Sequence, residues 1–235
     1  MNNKPIGVFD SGVGGLSCVP AIKKALPNET IIYYGDNARA PYGSRPIEEI
    51  IQFSIEDAEK LIGMGCKALA IACNTITAAA LPVLRGMFDC PIIGIIEPAS
   101  NYAKTAFPGK RIGVVSTKAT AESKAYPFTA KAAPEFVPYI EKDGSVPHDV
   151  IRAVLDDFVC DLDVLILGCT HYPFIKTDIE SIYKGLIVVN PADALAAELK
   201  KELIKNNLLA EEKGEDLYLS SLETEVFKKF VEKLR

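Results

Sequence analysis

Two of the six cysteines stand where a thiol could do chemistry. Cys73 and Cys169 each follow a short apolar run and precede polar residues, in Ala72-Cys73-Asn74-Thr75 and Gly168-Cys169-Thr170-His171. A thiol that gains and loses a proton can act as a nucleophile or as an acid–base group. The residues alone leave a functional and a structural role open for this pair. We interpret the other four cysteines as small hydrophobic residues: Cys18, Cys66, Cys90 and Cys160.

Other polar side chains also follow apolar runs. His171 lies two residues beyond Cys169, close enough to exchange a proton with a thiol or with a substrate amine. Asp10 and Ser11 follow the first run of the chain, where an acid could equally cap a turn. Thr117 follows a later run. Because ligands of open α/β sheets bind at the carboxyl ends of strands, we expect these positions to converge with the two cysteines.

The elements that must position these residues alternate between strand and helix. Segments 47–62 and 150–158 have the apolar periodicity of helices, and a further helix is expected from Thr75 toward Arg85. Nearly continuous apolar runs indicate strands that are buried on both faces, as in parallel sheets. The fold class predicted is therefore α/β. The predicted strands are residues 6–10, 30–36, 68–73, 91–96, 111–117, 135–141, 164–169 and 186–190.

The chain also repeats itself loosely. Residues 6–11 are echoed by residues 112–117, and each cysteine motif follows its opening motif at a comparable distance. This pattern predicts two similar α/β domains with mainly parallel sheets that face each other across a cleft. We expect residues 1–95 plus 188–235 to form the first domain and residues 96–187 to form the second.

Composition limits the class of partner. The chain of 235 residues is 49% hydrophobic and carries a formal net charge of −5, without the basic stripe that nucleic acid or anionic lipid would need. No apolar run approaches the roughly 20 residues that span a bilayer. No secretion signal precedes residue 6. We therefore expect a cytoplasmic protein whose partner is neither nucleic acid nor membrane.

The same residues also bear on two other kinds of site, a nucleotide site and a metal site. Ser11-Gly12-Val13-Gly14-Gly15-Leu16 suggests a dinucleotide loop, but the third glycine of that motif would fall at Ser17. Asp10, Cys73, Cys169 and His171 are residue types that bind zinc, but their spacing is not diagnostic. The sequence thus favours neither a nucleotide nor a metal site.

Four motifs together resemble the glutamate racemases of the aspartate/glutamate racemase superfamily, and the likeness covers most of the chain. They occur in the order found in that family. The motifs are Phe9-Asp10-Ser11-Gly12-Val13-Gly14-Gly15-Leu16, Ala40-Pro41-Tyr42-Gly43, Ala72-Cys73-Asn74-Thr75 and Gly168-Cys169-Thr170-His171-Tyr172-Pro173.

The resemblance implies a homodimer that interconverts L- and D-glutamate without a cofactor, to supply D-glutamate for peptidoglycan. It makes Cys73 and Cys169 the proton donors and acceptors, acting on D- and L-glutamate respectively, with Asp10 assisting the first and His171 the second. Racemisation needs two such groups, because a proton leaves one face of the α-carbon and another returns to the opposite face. The substrate-binding residues implied are Asp10, Ser11, Tyr42, Gly43, Asn74, Thr75, Thr117, Thr170 and His171.

Rival functions remain at this stage. An aspartate racemase, or a single-cysteine decarboxylase of small carboxylic acids, belongs to the same superfamily, although two cysteines disfavour the decarboxylase. A non-catalytic amino-acid-binding module would need neither thiol and would tolerate serine at both positions.

Overall fold

A computed structural model describes residues 2–234 as two parallel sheets with helices packed against their faces. The α/β class, with two facing parallel sheets, is confirmed. The strands of the first sheet, in the order β4-β3-β1-β2-β9, are β1 (Ile6–Asp10), β2 (Ile31–Gly35), β3 (Ala68–Ile71), β4 (Ile92–Gly94) and β9 (Leu217–Ser220). The strands of the second, in the order β6-β5-β7-β8, are β5 (Ile112–Ser116), β6 (Thr129–Ala132), β7 (Val164–Gly168) and β8 (Ile187–Val189).

Helices connect most of these strands. Four of them lie before the second sheet: α1 (Val19–Ala25), α2 (Ile47–Gly63), α3 (Asn74–Met87) and α4 (Ile96–Ala106). The others are α5 (Lys118–Ser123), α6 (Phe136–Asp143), α7 (His148–Val159), α8 (Lys176–Ile182), α9 (Ala192–Lys205) and α10 (Glu225–Glu232). Short 3-10 helices cover Gly14–Cys18, Tyr42–Ser44 and Tyr172–Ile175. None of the helices within residues 2–234 is long and apolar enough to cross a membrane.

The two sheets share one topology. The order β4-β3-β1-β2 in the first corresponds to β8-β7-β5-β6 in the second. β1 therefore matches β5, and β3 matches β7, as the repeated motifs predict. Cys73 lies just beyond β3, and Cys169 follows β7 directly. The two thiols thus leave equivalent strand ends in the two halves of the molecule.

Alternate residues of each central strand pack on opposite faces of its sheet. Val8 and Val114 belong to one hydrophobic cluster that includes residues of both sheets and of the helices α1, α4 and α9. Phe9 packs with α2 and α3, whereas Val115 packs with α6 and α7. Burial on both faces explains the continuous apolar runs, and the shared cluster joins the two halves behind the site.

One predicted strand is wrong. Residues 135–141 form most of α6 instead, because Phe136 and Ile140 are one helical turn apart and are both fully buried. Pro138 falls in the first turn, where its missing N–H is not needed. Gly144, with φ of 71°, ends the helix in the left-handed conformation. The short strands β6 and β9 were not predicted.

The expected division between residues 187 and 188 falls inside β8, which pairs with β7 through Val164, Leu165 and Ile166. A boundary inside a hydrogen-bonded strand would separate residues that belong to one sheet. We propose that the second half extends through Val189.

Candidate active site

A cavity of about 380 Å³ opens where the carboxyl ends of the two sheets face each other. Its wall brings together residues of both halves, and the predicted site residues in it are Ser11, Tyr42, Gly43, Cys73, Asn74, Thr75, Thr117, Cys169, Thr170 and His171. Asp10 is the predicted site residue that does not line it. The carboxyl ends of parallel strands therefore converge here, as the position of the motifs predicts.

Cys73 precedes the first residue of α3, at the N-terminus of a 14-residue helix. Its Sγ atom lies 3.6 Å from Ser11 Oγ, and its side chain is buried. Burial, together with the nearby carboxylate of Asp10, raises the pKa of Cys73 to about 12. Cys73 is therefore a neutral thiol at physiological pH, able to give up a proton.

Cys169 has a different partner. Its Sγ atom lies 3.9 Å from Nδ1 of His171, and the other ring nitrogen of His171 is 2.9 Å from Oε1 of Glu141. Burial alone would lower the pKa of His171, but its hydrogen bonds to Cys169 and Glu141 outweigh that effect and raise the pKa to about 10. The structure therefore holds an imidazolium 3.9 Å from the sulfur of Cys169.

Glu141 is a residue of this site that the sequence analysis missed. It lies on α6 and lines the cavity together with Val137 and Pro138. In a helix these three positions share one face, whereas the strand predicted over residues 135–141 would place Pro138 on the face opposite to Val137 and Glu141. Its role at the site depends on the contact with His171, which lies 30 residues away in the chain.

Asp10 lies beneath the cavity and is fully buried. Its carboxylate accepts hydrogen bonds from the backbone N–H of Gly12, at 3.0 Å, and from the hydroxyl of Thr170, at 3.1 Å. Burial raises the pKa of Asp10, although the charge of His171 and these hydrogen bonds act in the opposite direction. Asp10 thus ties the first half to the Cys169 loop, and its carboxylate charge acts on Cys73 without a direct hydrogen bond.

The hydroxyl of Tyr42 is held by acidic side chains, so Tyr42 contributes to the site by fixing a loop. Its hydroxyl donates to Asp36 and lies 3.3 Å from Oδ2 of Asp57, and Arg39 pairs with both carboxylates. The ring is fully buried. This buried ionic cluster fixes the loop that carries Gly43, which meets the cavity through main-chain atoms.

The two halves touch directly around the cavity. The hydroxyls of Thr75 and Thr117 lie 3.0 Å apart. A Cβ atom at Gly14 would fall 2.5 Å from Thr170 Oγ1 and 2.6 Å from His171 Nδ1, so only glycine permits this approach. The relative placement of the thiols is therefore set by contacts between the halves.

The cysteine, histidine and acidic side chains described in residues 2–234 are not arranged as a metal site. Within residues 2–234 there is no group of three or more His, Cys, Asp or Glu side chains arranged to hold a metal ion.

Comparison with known proteins agrees with the geometry. Residues 6–199 match the model of the Asp/Glu/Hydantoin racemase family. The glutamate racemase of Thermus thermophilus is 41% identical over 239 residues, which cover 98% of this chain and 92% of that protein.

Solved structures match over nearly the whole chain. The glutamate racemase of Thermus thermophilus, crystallised with beta-chloro-D-alanine, superposes with a TM-score of 0.89 at 40% identity, covering 99% of this chain and 93% of that one. The glutamate racemase of Francisella tularensis, in complex with D-glutamate, gives a TM-score of 0.91 at 33% identity and covers 99% and 94%. The chain is therefore a member of the Asp/Glu/Hydantoin racemase family, and of the glutamate racemases within it.

Proposed function

We propose that this protein interconverts L- and D-glutamate by proton transfer through Cys73 and Cys169. One observation carries the proposal: two buried thiols from equivalent strand ends line one cavity, and each has a different proton partner. The glutamate racemases similar to this chain, one of them solved with D-glutamate, support the choice of substrate.

The two thiols act in turn. To act on L-glutamate, Cys169 must first give up its proton beside the imidazolium of His171; it then takes the α-proton, and the thiol of Cys73 returns a proton to the opposite face. This turnover leaves Cys169 as thiol and Cys73 as thiolate, which is the state required for D-glutamate. Protonation of Asp10 would remove the negative charge that opposes a thiolate at Cys73.

Polar groups around the cavity support the substrate. The α-proton is far less acidic than a thiol, so the site must stabilise negative charge that develops on the substrate. Hydroxyls from both halves and main-chain groups of Gly43 are donors for its two carboxylates. The hydroxyls belong to Ser11, Thr75, Thr117 and Thr170. None of these steps requires a cofactor.

The test uses purified protein with no added cofactor. The optical signal of L-glutamate should decay to zero, and the α-proton should exchange with deuterium from the solvent. We expect Cys73→Ser and Cys169→Ser each to abolish racemisation. Cys160→Ser, at an exposed cysteine outside the cavity, is the matched control and should remain active.

Four outcomes would contradict this proposal or identify a rival function. Unchanged L-glutamate would refute glutamate racemisation, and turnover of aspartate in its place would identify an aspartate racemase. Normal turnover by either serine variant at the cavity would refute the two-thiol mechanism. Binding of glutamate without turnover would identify an amino-acid-binding module.

The proposal extends to the cellular role. We propose that the protein supplies D-glutamate for peptidoglycan in the cytoplasm, because a mechanism with two free thiols needs a compartment that keeps thiols reduced. All six cysteines are free.

We also propose a homodimer. Exposed apolar side chains such as Tyr102 and Ile187, which border one surface depression, are candidates for its interface. Light scattering coupled to size-exclusion chromatography tests that state.

A further inference from the structure

The residue after the first thiol has an incomplete set of hydrogen bonds. Asn74 lines the cavity and is 2% exposed, and its Oδ1 atom accepts a hydrogen bond of 2.8 Å from the hydroxyl of Tyr126. Its Nδ2 atom is buried and has no acceptor among the described residues. Buried donors are nearly always satisfied, so an unpaired one in a binding site indicates an acceptor that comes with the ligand.

Tyr126 fixes which end of the amide remains free. The amide group of asparagine rotates in a broad torsional well, and its two ends have opposite hydrogen-bonding character. A donor held at Oδ1 leaves Nδ2 as the available group. Burial raises the pKa of Tyr126, so its hydroxyl stays protonated and remains a donor. Its ring is part of the cluster between the sheets and cannot easily move away.

A second buried hydroxyl, that of Thr120, contacts the other cavity residue after Cys73, which is Thr75. The hydroxyl of Thr120 lies 3.4 Å from that of Thr75 and 3.0 Å from that of Thr117. Thr120 is 2% exposed and is not part of the cavity wall, whereas Thr75 and Thr117 are. Thr120 therefore stands behind two binding groups and limits the orientations that their hydroxyls can take.

Both contacts cross from one half of the molecule to the other. Asn74 and Thr75 follow Cys73 at the start of α3 in the first half, whereas Thr120 and Tyr126 belong to the second. We propose that Tyr126 and Thr120 are positioning residues, which orient the Asn74 amide and the Thr75 hydroxyl toward a substrate carboxylate. The inference rests on the proposed function and adds to it a source of substrate affinity outside the cavity wall.

The geometry predicts an effect on binding more than on proton transfer, because the hydroxyls of Tyr126 and Thr120 are hydrogen-bonded to Asn74, Thr75 and Thr117 and not to Cys73 or Cys169. Tyr126→Phe keeps the ring and removes only the hydroxyl. We expect KM for both enantiomers to rise about tenfold, as for one charge-assisted hydrogen bond that loses its alignment, with kcat within about twofold of the wild type. Tyr183→Phe removes a hydroxyl that donates to Asp156 outside the cavity; it is the matched control and should leave both constants unchanged.

A double-mutant cycle separates positioning from a general loss of structure. If Tyr126 acts through Asn74, then Tyr126→Phe should raise KM little further in an Asn74→Ala background. Equal effects in both backgrounds would overturn the proposal for Tyr126. A fall in kcat with unchanged KM would also overturn it.

Thr120 is tested by a pair of variants. Thr120→Val removes the hydroxyl and should raise KM, whereas Thr120→Ser keeps it and should restore the wild-type value. Equal KM values for the two variants would overturn the proposal for Thr120. Wild-type protein is assayed in the same series. If the wild type does not turn over glutamate, the proposed function is refuted. If the wild type is active but the effects of Tyr126→Phe and Asn74→Ala on KM are additive, only the positioning role of Tyr126 is refuted.

Discussion

Replacement of Glu141 by glutamine tests the charge arrangement around Cys169. The carboxylate lies 2.9 Å from Nε2 of His171, and its side chain is 44% exposed to solvent. Coulomb's law at 2.9 Å with a dielectric constant of about 80 gives about 1.4 kcal/mol, a solvent-screened value suited to a half-exposed partner. The pKa of His171 should therefore fall by about 1 in Glu141→Gln.

The expected result is a shift of the alkaline limit of activity. We expect conversion of L-glutamate to need the positive charge of His171 beside Cys169, so it should decline as pH rises through the pKa of His171, about 10 in the wild type. Cys73, with its pKa of about 12, loses its proton later. In Glu141→Gln, the same decline should begin about one pH unit lower.

Two measurements check this expectation. The first is kcat/KM for L-glutamate across the alkaline range, and the second is the titration of the imidazole of His171 by NMR, which is simple to assign because the chain has two histidines. Asp178→Asn is the matched control, since Asp178 lies 3.7 Å from the exposed His148 and does not line the cavity. An unchanged pKa of His171 in Glu141→Gln, with an unmoved alkaline limb, would show that this carboxylate does not stabilise the imidazolium.

Two further predictions concern pH and close packing. Burial and the neighbouring Asp36 raise the pKa of Asp57 to about 7, so the folded state binds a proton that the unfolded state releases near its ordinary value of 3.8. The free energy of unfolding of the wild type should therefore decrease from about pH 4 to about pH 7, and Asp57→Asn should reduce that decrease, as urea titrations at several pH values can show. Gly14→Ala should lower kcat/KM about a hundredfold by displacing His171. Gly63→Ala, where a Cβ meets nothing within 4 Å, should leave that constant unchanged, and equal activity of the two variants would contradict the packing argument.

Most of the strands and helices could be predicted from local sequence patterns. Apolar runs located seven of the strands, and the periodicity of residues 47–62 located α2, because burial on one or both faces leaves a pattern in adjacent residues. The exceptions have physical causes. Strands β6 and β9 are short and only partly buried, so they lack a continuous apolar run. Residues 135–141 contain β-rich residue types, and only their packing against the second sheet makes them a helix.

In the candidate site, too, some residues could be identified from the sequence and others only from the structure. Cys73, Cys169 and His171 were identified from their types and from their place after apolar runs. The roles of other residues depend on partners far away in the chain. Glu141 is 30 residues from His171, and Tyr126 is 52 residues from Asn74.

The sequence by itself determined the fold class, the family and the two thiols, because strand ends and motif spacing are properties of adjacent residues. Only the tertiary structure decided what surrounds each thiol: an imidazolium held by Glu141 beside Cys169, and burial with the nearby carboxylate of Asp10 around Cys73. It also brought the hydroxyl of Tyr42 to the carboxylates of Asp36 and Asp57. Protonation and side-chain direction depend on burial and on charges brought together by the packing of two halves, and no local pattern encodes them.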